Sequence, residues 1–415
     1  MSRAMYVLGL VSTVSLAFGT AGATEPHPFD PRTQDEAGSI LAWFDHRSYA
    51  PGDLAMLHFL RGAPAKARLT VLRIGPKRGT RSSQDDMAGA VVRIEGRRVA
   101  ETAGVVRLRV GAWPSGLYAA RLTASGGRRG FAPFVVTAGR HRRSRVVVVL
   151  PTNTWQAYNF RDADENGVGD TWYADPSIPT VELARPYMHS GVPPYRPGFM
   201  RWVEQMRPRP EFMSDDDLDS VATGETLRAA YDLVVFAGHE EYVTAHVYEV
   251  VMRYRDLGGN LAFLSSNTFF YRVRREGSHL RRIGRWIDVG RVDARLTGVH
   301  YVGWNERRFP NRPYTATNVA RAPWFFRGTG LDDGEQFGSS YGIEIDQVSA
   351  DSPEGTIVLA RIPDLFGHGR SATMTYYETS RGAKVFAAGA MNFDQPQSRV
   401  GWLLLTNLWR WMVRA

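Results

Sequence analysis

Cysteine is absent from this chain of 415 residues. Without cysteine the protein has no disulfide, no thiolate ligand for a metal and no thiol nucleophile. Long apolar runs are equally scarce, because no stretch after the first 23 residues reaches the roughly 20 residues that a membrane-spanning helix requires. The sequence therefore excludes thiol chemistry and predicts no membrane span.

Basic residues exceed acidic residues, but they form no long basic run. The formal net charge is +9 and the sequence pI is near 9.8. The arginines are scattered along the chain, which favours a solvated basic surface over a face that binds nucleic acid. We therefore expect no nucleic acid partner.

The first 23 residues have the pattern of a secretory signal peptide. Arg3 supplies a positive start, residues 6–19 are apolar, and Ala21-Gly22-Ala23 matches an A-x-A cleavage site. Residues 24–38 are polar and contain several turn formers, which is typical of a linker. The mature protein is therefore expected to be secreted or periplasmic.

Two patterns of hydrophobicity divide the rest of the chain. Residues 39–140 contain short alternating runs separated by Gly, Pro and Ser, which predict an immunoglobulin-like β-sandwich. In residues 145–415, buried-type strands alternate with helices, which predicts a flavodoxin-like three-layer α/β domain. Residues 270–345 show no clear period and are expected to be irregular. The predicted fold class is α/β plus β.

Polar side chains gather where the predicted parallel strands end. In YDLVVFAGHEEY (231–242), a buried strand is followed at once by two glutamates and a histidine. Four such strands are predicted, at residues 146–150, 233–237, 261–265 and 384–388. We expect their ends to share one rim, where open α/β sheets bind ligands. The chemically unusual residues near these ends are Tyr158, His239, Glu241, Asn267 and Glu378.

Several segments resemble the large subunit of N,N-dimethylformamidase and its relatives. These segments are TWQAYN (154–159), YDLVVFAGHEEY (231–242), GGNLAFLSSNTFFYRVR (258–274), GIEID (342–346) and GAKVFAAGAMNF (382–393). Their order and spacing cover most of the chain after residue 145. The resemblance implies a β-domain followed by a class I glutamine-amidotransferase-like α/β domain. It also implies a mononuclear ferric ion bound by two tyrosines and one glutamate beside a histidine.

Carried over position by position, the resemblance assigns roles to six residues. These roles are ferric ligand for Tyr118, Tyr158 and Glu241, and active-site residue for His239, Asn267 and Glu378. Tyr118 enters through the SGLY run of the sandwich, which matches the family more loosely. Glu240 and Val243 depart from the residues that relatives tend to carry, so the identity of the substrate stays open.

The chemistry of these residue types agrees with the resemblance. Two phenolates and a carboxylate supply three negative charges, which suit a hard trivalent ion. A metal with open positions polarises an amide carbonyl and lowers the pKa of bound water. His239 is then expected to accept the proton of that water, and Glu378 to pass one to the leaving amine. The sequence therefore predicts a metal-dependent hydrolase of a small amide or formamide, either homo-oligomeric or with a small partner subunit.

A second metal motif follows the first strand of the α/β domain. Asp162-x-Asp164-x-Asn166-Gly167, with Asp170 at the ninth position, resembles the start of a calcium loop. The twelfth position is Tyr173 and not Glu, so an EF-hand is incomplete. A solvated acidic turn explains the motif equally well. A non-catalytic exported relative that binds carbohydrate or a surface, with Ca²⁺ in this loop, is the alternative function.

Overall fold

The computed structural model describes residues 40–60, 67–75, 89–97, 104–139, 144–187, 197–396 and 398–413. The predicted signal peptide (1–23) and linker (24–38) lie outside the described residues. Within the described ranges the chain is a mixed α/β protein with several sheets.

Two antiparallel sheets form the region before residue 137, apart from one short parallel pair. Its strands are β1 (Ala42–Phe44), β2 (Ser48–Tyr49), β3 (Leu54–Phe59), β4 (Ala67–Ile74), β5 (Gly89–Arg97), β6 (Val105–Arg109), β7 (Gly116–Ala124) and β8 (Arg129–Val136). A three-stranded sheet has the order β1-β3-β6, and a five-stranded sheet has the order β2-β8-β7-β4-β5. β2 pairs with β8 in parallel. Alternating residues of both sheets meet in one apolar core, so the two sheets form a sandwich.

The second region is built around an 11-stranded sheet. The strands of this region, most of which belong to that sheet, are β9 (Val146–Leu150), β10 (Thr180–Glu182), β11 (Glu211–Ser214), β12 (Leu233–Phe236), β13 (Tyr242–Thr244), β14 (Asn260–Phe263), β15 (Tyr271–Glu276), β16 (His279–Arg285), β17 (His300–Trp304), β18 (Arg312–Ala316), β19 (Gln336–Gln347), β20 (Ile357–Ile362), β21 (Ala372–Glu378), β22 (Lys384–Ala387) and β23 (Ala390–Met391). Its helices are α1 (Thr152–Ala157), α2 (Pro197–Val203), α3 (Asp215–Asp219), α4 (Gly224–Ala230), α5 (Ala245–Asp256), α6 (Ala294–Thr297), α7 (Pro323–Phe326) and α8 (Arg399–Met412).

The four strands that the sequence placed along one rim are neighbours in this sheet. β9 pairs with β12, β12 with β14, and β14 with β22, and all three pairings are parallel. Every residue of β9, β12 and β14 is buried, which is why these strands read as continuous apolar runs. Apolar side chains of α5 pack on one face of the sheet, and those of α2 and α8 pack on the other. The predicted common rim at the carboxyl ends of these strands is confirmed.

Residues 270–345, predicted to be irregular, contain much of the remaining β structure, so that prediction was wrong. β15 and β16 form a hairpin in a second, four-stranded sheet of order β10-β16-β15-β13. β17, β18 and β19 extend the antiparallel half of the large sheet. The strands were hidden because β15 and β16 are rich in arginine, while β17, β18 and β19 contain register shifts that break a simple alternation.

The sandwich packs on the α/β region through a shared core. The outward face of the five-stranded sheet, including Leu117 and Val135, joins the same apolar cluster as Val148 of β9. A buried ion pair also crosses this junction, with Arg73 Nη2 at 2.5 Å from Glu204 Oε1. The sandwich is therefore continuous with the α/β core. None of the helices in the described ranges has the length and apolar character needed to traverse a lipid bilayer.

Candidate active site

The segment after β12 delivers three ionisable side chains into the interior, His239, Glu240 and Glu241, and the first and third belong to the cluster. Gly238 has a φ of +96°, a left-handed conformation that lets the chain turn sharply at the end of the strand. His239 and Glu241 follow, and both are almost fully buried. The Glu241 backbone N–H donates to Thr154 Oγ1 at 3.2 Å, which ties the segment to α1. Strand β13 begins at Tyr242, directly after Glu241, and α5 follows it from Ala245.

Tyr158 lies where α1 ends and reaches the same place. Its hydroxyl donates to Glu241 Oε2 at 2.9 Å and lies 3.2 Å from His239 Nε2. The side chain is buried in an apolar cluster that includes Trp172 and Tyr242. The structure thus brings together Tyr158, His239 and Glu241, which the sequence predicted as one group.

Tyr173 is a member of the cluster that the sequence did not identify as a site residue. Its hydroxyl is hydrogen-bonded to the Tyr158 hydroxyl and lies 3.3 Å from Glu241 Oε2. About 39% of the residue is exposed, whereas Glu241 is almost inaccessible, so Tyr173 stands on the solvent side of the cluster. The only sequence signal was an aromatic residue at the twelfth position of the Asp-rich motif, where a calcium loop has glutamate.

Glu344 is the second residue that sequence reasoning missed. Its Oε2 lies 2.9 Å from His239 Nε2, and its Oε1 accepts from the Tyr158 hydroxyl at 3.4 Å. Glu344 comes from β19, which is remote in sequence from the other members and has a register shift between residues 342 and 345 in its pairing with β23. Glu344 belongs to the run GIEID (342–346), whose resemblance to the family was the one sequence signal that pointed to it.

The electrostatics of the cluster are dominated by acidic groups. Burial raises the pKa of Glu241 to about 7, with His239 lowering it and Glu344 raising it. Burial of the hydroxyl groups, followed by the charge of Glu241, holds the pKa values of Tyr158 and Tyr173 well above the usual range, although part of the Tyr173 side chain is exposed. Without a cation, the site thus disfavours the very anions that it concentrates.

Asn267 lies beside the cluster, and hydrogen bonds tie its loop to β19, the strand that carries Glu344. Its backbone N–H donates to Asp346 Oδ1 at 2.8 Å, and the neighbouring Ser266 Oγ donates to the Glu344 carbonyl at 2.8 Å. Asn267 has a φ of +51°, which asparagine tolerates better than most residues. Its side-chain Oδ1 is buried and has no hydrogen-bond partner among the residues that the structure describes. A buried amide oxygen without a partner is unusual and is consistent with a ligand-facing group.

Tyr118 is not brought to this cluster. Its ring lies in the sandwich core, stacked on Trp113 at a centroid distance of 5.6 Å, and its hydroxyl donates to the Pro114 carbonyl at 2.7 Å. The inward-facing side of β7 directs Tyr118 between the two sheets and away from the α/β rim. Tyr173 therefore replaces Tyr118 as the second tyrosine of the candidate ligand set.

Glu378 also lies away from the cluster, and its predicted place on the rim was wrong. It ends β21, which is antiparallel to β22, and it pairs with Lys384, the first residue of β22. The carboxyl end of β21 therefore lies beside the amino end of β22, on the side of the sheet opposite to the rim. The side chain is exposed there and accepts a hydrogen bond from the Tyr376 hydroxyl.

The Asp-rich motif forms a compact turn near the surface. Carboxylate oxygens of Asp162, Asp164 and Asp170 lie within 4.8 Å of one another. The Asn166 side-chain amide donates to Asp164 Oδ2 at 2.9 Å, while its Oδ1 accepts from the Val168 N–H at 2.7 Å. Backbone N–H groups of the turn also donate to Asp162 and Asp170. This pattern suits either a cation or a self-contained acidic turn.

The oxygen atoms of the buried cluster fit a small hard cation. An octahedral ion with bonds of about 2.0–2.1 Å sets adjacent ligand oxygens about 2.9 Å apart. Glu241 Oε2 lies 2.9 Å from the Tyr158 hydroxyl and 3.3 Å from the Tyr173 hydroxyl, in agreement with this spacing. The two phenol oxygens lie closer together than this spacing and would have to move apart to bind one ion. An all-oxygen set with three acidic groups and no sulfur also matches the preference of a hard ion.

Comparisons with known proteins identify a family for this chain, but the two solved structures described below are not similar enough to support an argument. No curated protein matches the chain significantly. The PmoD soluble domain of Methylocystis sp. ATCC 49242 (Rockwell) is 13% identical, covers 22% of this chain and 77% of its own, and has a TM-score of 0.16. A Paenibacillus sp. cycloisomaltooligosaccharide glucanotransferase complexed with cycloisomaltoheptaose is 10% identical, covers 60% of this chain and 34% of its own, and has a TM-score of 0.17. These TM-scores are too low for either likeness to bear on fold or function.

The family match covers both the site and part of the sandwich. The family described as N,N-dimethylformamidase beta subunit-like, C-terminal, matches residues 104–396. This range begins just before β6 and includes every residue of the buried cluster. The chain belongs to the N,N-dimethylformamidase beta subunit-like family.

Proposed function

We propose that this protein hydrolyses a small amide or formamide at the buried cluster, with a ferric ion held by Tyr158, Tyr173 and Glu241. The observation that carries the proposal is the convergence of two phenols and a carboxylate within hydrogen-bonding distance of one another. Family membership supports a dimethylformamidase-related hydrolase in general terms. The glutamine-amidotransferase-like and immunoglobulin-like assignments of the two regions remain predictions.

The ion, when bound, supplies a Lewis acid that polarises the amide carbonyl. The remaining chemistry belongs to His239 and Glu344, whose Nε2 and Oε2 atoms lie 2.9 Å apart. A carboxylate at this distance stabilises the imidazole once it is protonated, so His239 can take a proton from the attacking water and return it to the leaving amine. Glu344 thus takes the role of second carboxylate that the sequence gave to Glu378.

Other residues of the rim bind the substrate or shape its surroundings. The free Oδ1 of Asn267 can accept a hydrogen bond from the N–H of an amide that has one. The near-complete burial of His239 and Glu241 keeps bulk water from their charges, which strengthens every interaction within the site. Tyr173, with its partly exposed ring, lies on the side from which a substrate approaches.

The direct test combines metal analysis with an amide screen. We expect purified protein to contain close to one iron per chain, to absorb visible light through phenolate-to-iron charge transfer, and to release amine from N,N-dimethylformamide or another small amide. The single substitutions Tyr158→Phe and Tyr173→Phe should each weaken the visible band. Protein that holds no iron after reconstitution with ferric ion, and releases no amine, would reject the proposal.

A non-catalytic, exported binding protein is the second candidate function. The observation that favours it is the grouping of the Asp162, Asp164 and Asp170 carboxylates within 4.8 Å. Calcium alone in the metal analysis, with affinity lost in Asp164→Asn, would support this function over the enzyme. Export, a small partner subunit and a homo-oligomer all stay predictions, to be tested by fractionation and by the mass of the purified protein in solution.

A further inference from the structure

The segment that carries Tyr173 has little regular structure of its own. Between the end of α1 at Ala157 and the start of β10 at Thr180, the chain forms no helix or strand. Local bonds shape a turn there, since the Ala174 and Asp175 N–H groups both donate to the Thr171 carbonyl, at 3.1 and 2.9 Å. A side chain on such a segment needs contacts from elsewhere to be held within a fraction of an ångström.

Arg282 of β16 supplies contacts of that kind. Its guanidinium lies over two rings, 5.2 Å from the Trp172 centroid and 5.0 Å from the Tyr271 centroid. Its Nη2 donates to the Pro176 carbonyl at 3.2 Å. The guanidinium therefore contacts the turn at Trp172 and at Pro176, one residue on each side of Tyr173 in sequence.

The neighbouring rings continue this contact to the cluster. Trp172 packs against Tyr242 with centroids 5.1 Å apart, and Tyr242 stacks on Tyr271 at 5.3 Å. Tyr242 follows Glu241 directly, so the aromatic layer under Arg282 touches the segments that bear both Glu241 and Tyr173. Movement of Trp172 would thus displace the phenol next to it.

Four other arginines of this hairpin bind carboxylates. Arg274 and Arg281 bind Glu276, Arg275 binds Asp216, and Arg285 binds Asp288. Arg282, by contrast, makes no ion pair with any residue that the structure describes. Its partners are two aromatic faces and one carbonyl, an arrangement that a planar guanidinium satisfies and an ammonium does not.

We infer that Arg282 is a positioning residue, which holds the Tyr173 phenol against Tyr158 and Glu241 by clamping the turn at Trp172 and Pro176. This inference rests on the proposed function, because it assigns Arg282 to the geometry of the ferric ligand set. Arg282 itself touches none of the reacting groups.

The test measures ferric affinity and the visible charge-transfer band in full-length variants. Arg282→Gln should weaken ferric binding about 10- to 100-fold, the usual cost of losing an outer contact to a ligand. Arg282→Lys should recover little of this loss. Arg281→Gln removes a charge from the adjacent residue, whose partner is Glu276, and should leave both affinity and band unchanged.

A double-mutant comparison separates positioning from general destabilisation. In a Tyr173→Phe background the phenolate is already gone, so Arg282→Gln should cause no further loss of ferric affinity. An equal fold-loss in both backgrounds, or no loss in the wild-type background, overturns the inference.

A measurement without iron keeps the two proposals apart. In metal-free protein, Arg282→Gln should speed amide hydrogen exchange at Ala174 and Asp175, while Arg281→Gln should not. If wild-type protein takes up no ferric ion, the proposed function fails, and the exchange rates still decide whether Arg282 clamps the turn. Unchanged exchange in Arg282→Gln would overturn the clamp.

Discussion

Two buried sets of charged groups differ in how their charges are balanced. At the junction of sandwich and sheet, the Arg73 guanidinium faces the Glu204 carboxylate, with side chains 9% and 12% exposed. At the rim, two carboxylates and two phenols surround a single imidazole. The junction is neutral as a pair, whereas the rim becomes strongly negative once its phenols ionise.

The difference indicates which set is structural and which is functional. A buried pair with good geometry is self-sufficient, because each charge offsets the desolvation cost of the other. Within the described residues of the rim, one imidazole faces two carboxylates, and burial raises the pKa values of Glu241 and the two tyrosines. An excess of buried acidic groups is expected where a cation completes the structure.

The largest expected effect comes from neutralising the rim at Glu241. Glu241→Gln keeps the shape but removes one of three proposed anionic ligands, so ferric affinity should fall by at least about 100-fold, beyond the usual cost of an outer contact. Glu378→Gln is the matched control, since Glu378 is exposed at the strand ends opposite to the rim. Metal content after reconstitution reports both variants. Full iron in Glu241→Gln would contradict the ligand assignment.

A large loss of rate, without loss of metal, is expected from His239→Asn. His239 is proposed to move a proton with Glu344, and positioned acid–base groups typically contribute about 10²–10⁴-fold to rate. Turnover of the best small amide should fall by that factor while iron content stays at the wild-type level. A variant that loses its iron would instead make His239 a ligand.

Breaking the balanced pair should reduce stability and leave the site intact. Arg73→Met leaves Glu204 buried, and among the described residues Arg209, at 3.4 Å, is then the one ion-pair partner that offsets its charge. The free energy of unfolding should drop by about 3 kcal/mol, the low end of the range for a broken buried pair. Denaturant titration measures the change, and ferric affinity of the folded variant should match the wild type.

The double variant Arg73→Met/Glu204→Leu sharpens the contrast. Replacing both charges with apolar groups is often neutral, so its free energy of unfolding should return to within about 1 kcal/mol of the wild-type value. A double variant as unstable as Arg73→Met would show that the pair has a role beyond mutual compensation.

The smallest effect is expected at Tyr118. Tyr118→Phe removes one hydrogen bond to the Pro114 carbonyl and keeps the stacked ring, so it should cost about 1 kcal/mol of unfolding free energy. The visible iron band should be unchanged, in contrast to the band of Tyr173→Phe. Loss of a band component in Tyr118→Phe would return Tyr118 to the ligand set.

The sequence by itself determined the elements whose signals are local. Continuous apolar runs identified β9, β12, β14 and β22, because strands buried on both faces carry no polar alternation. The positions of His239 and Glu241 just after β12 then placed both at the rim, since parallel strands end on the same side. Tyr158 followed from the same reasoning, one strand away.

Only the tertiary structure decided which remote residues complete the cluster. Tyr173 arrives on a segment without regular structure, and Glu344 arrives on a strand with a register shift, so neither position follows from a local period. The direction of β21 separates Glu378 from the site, and strand direction depends on pairings between residues distant in sequence. Tyr118 was misplaced for a similar reason, because a strand has two faces and the packing of the two sheets chooses between them.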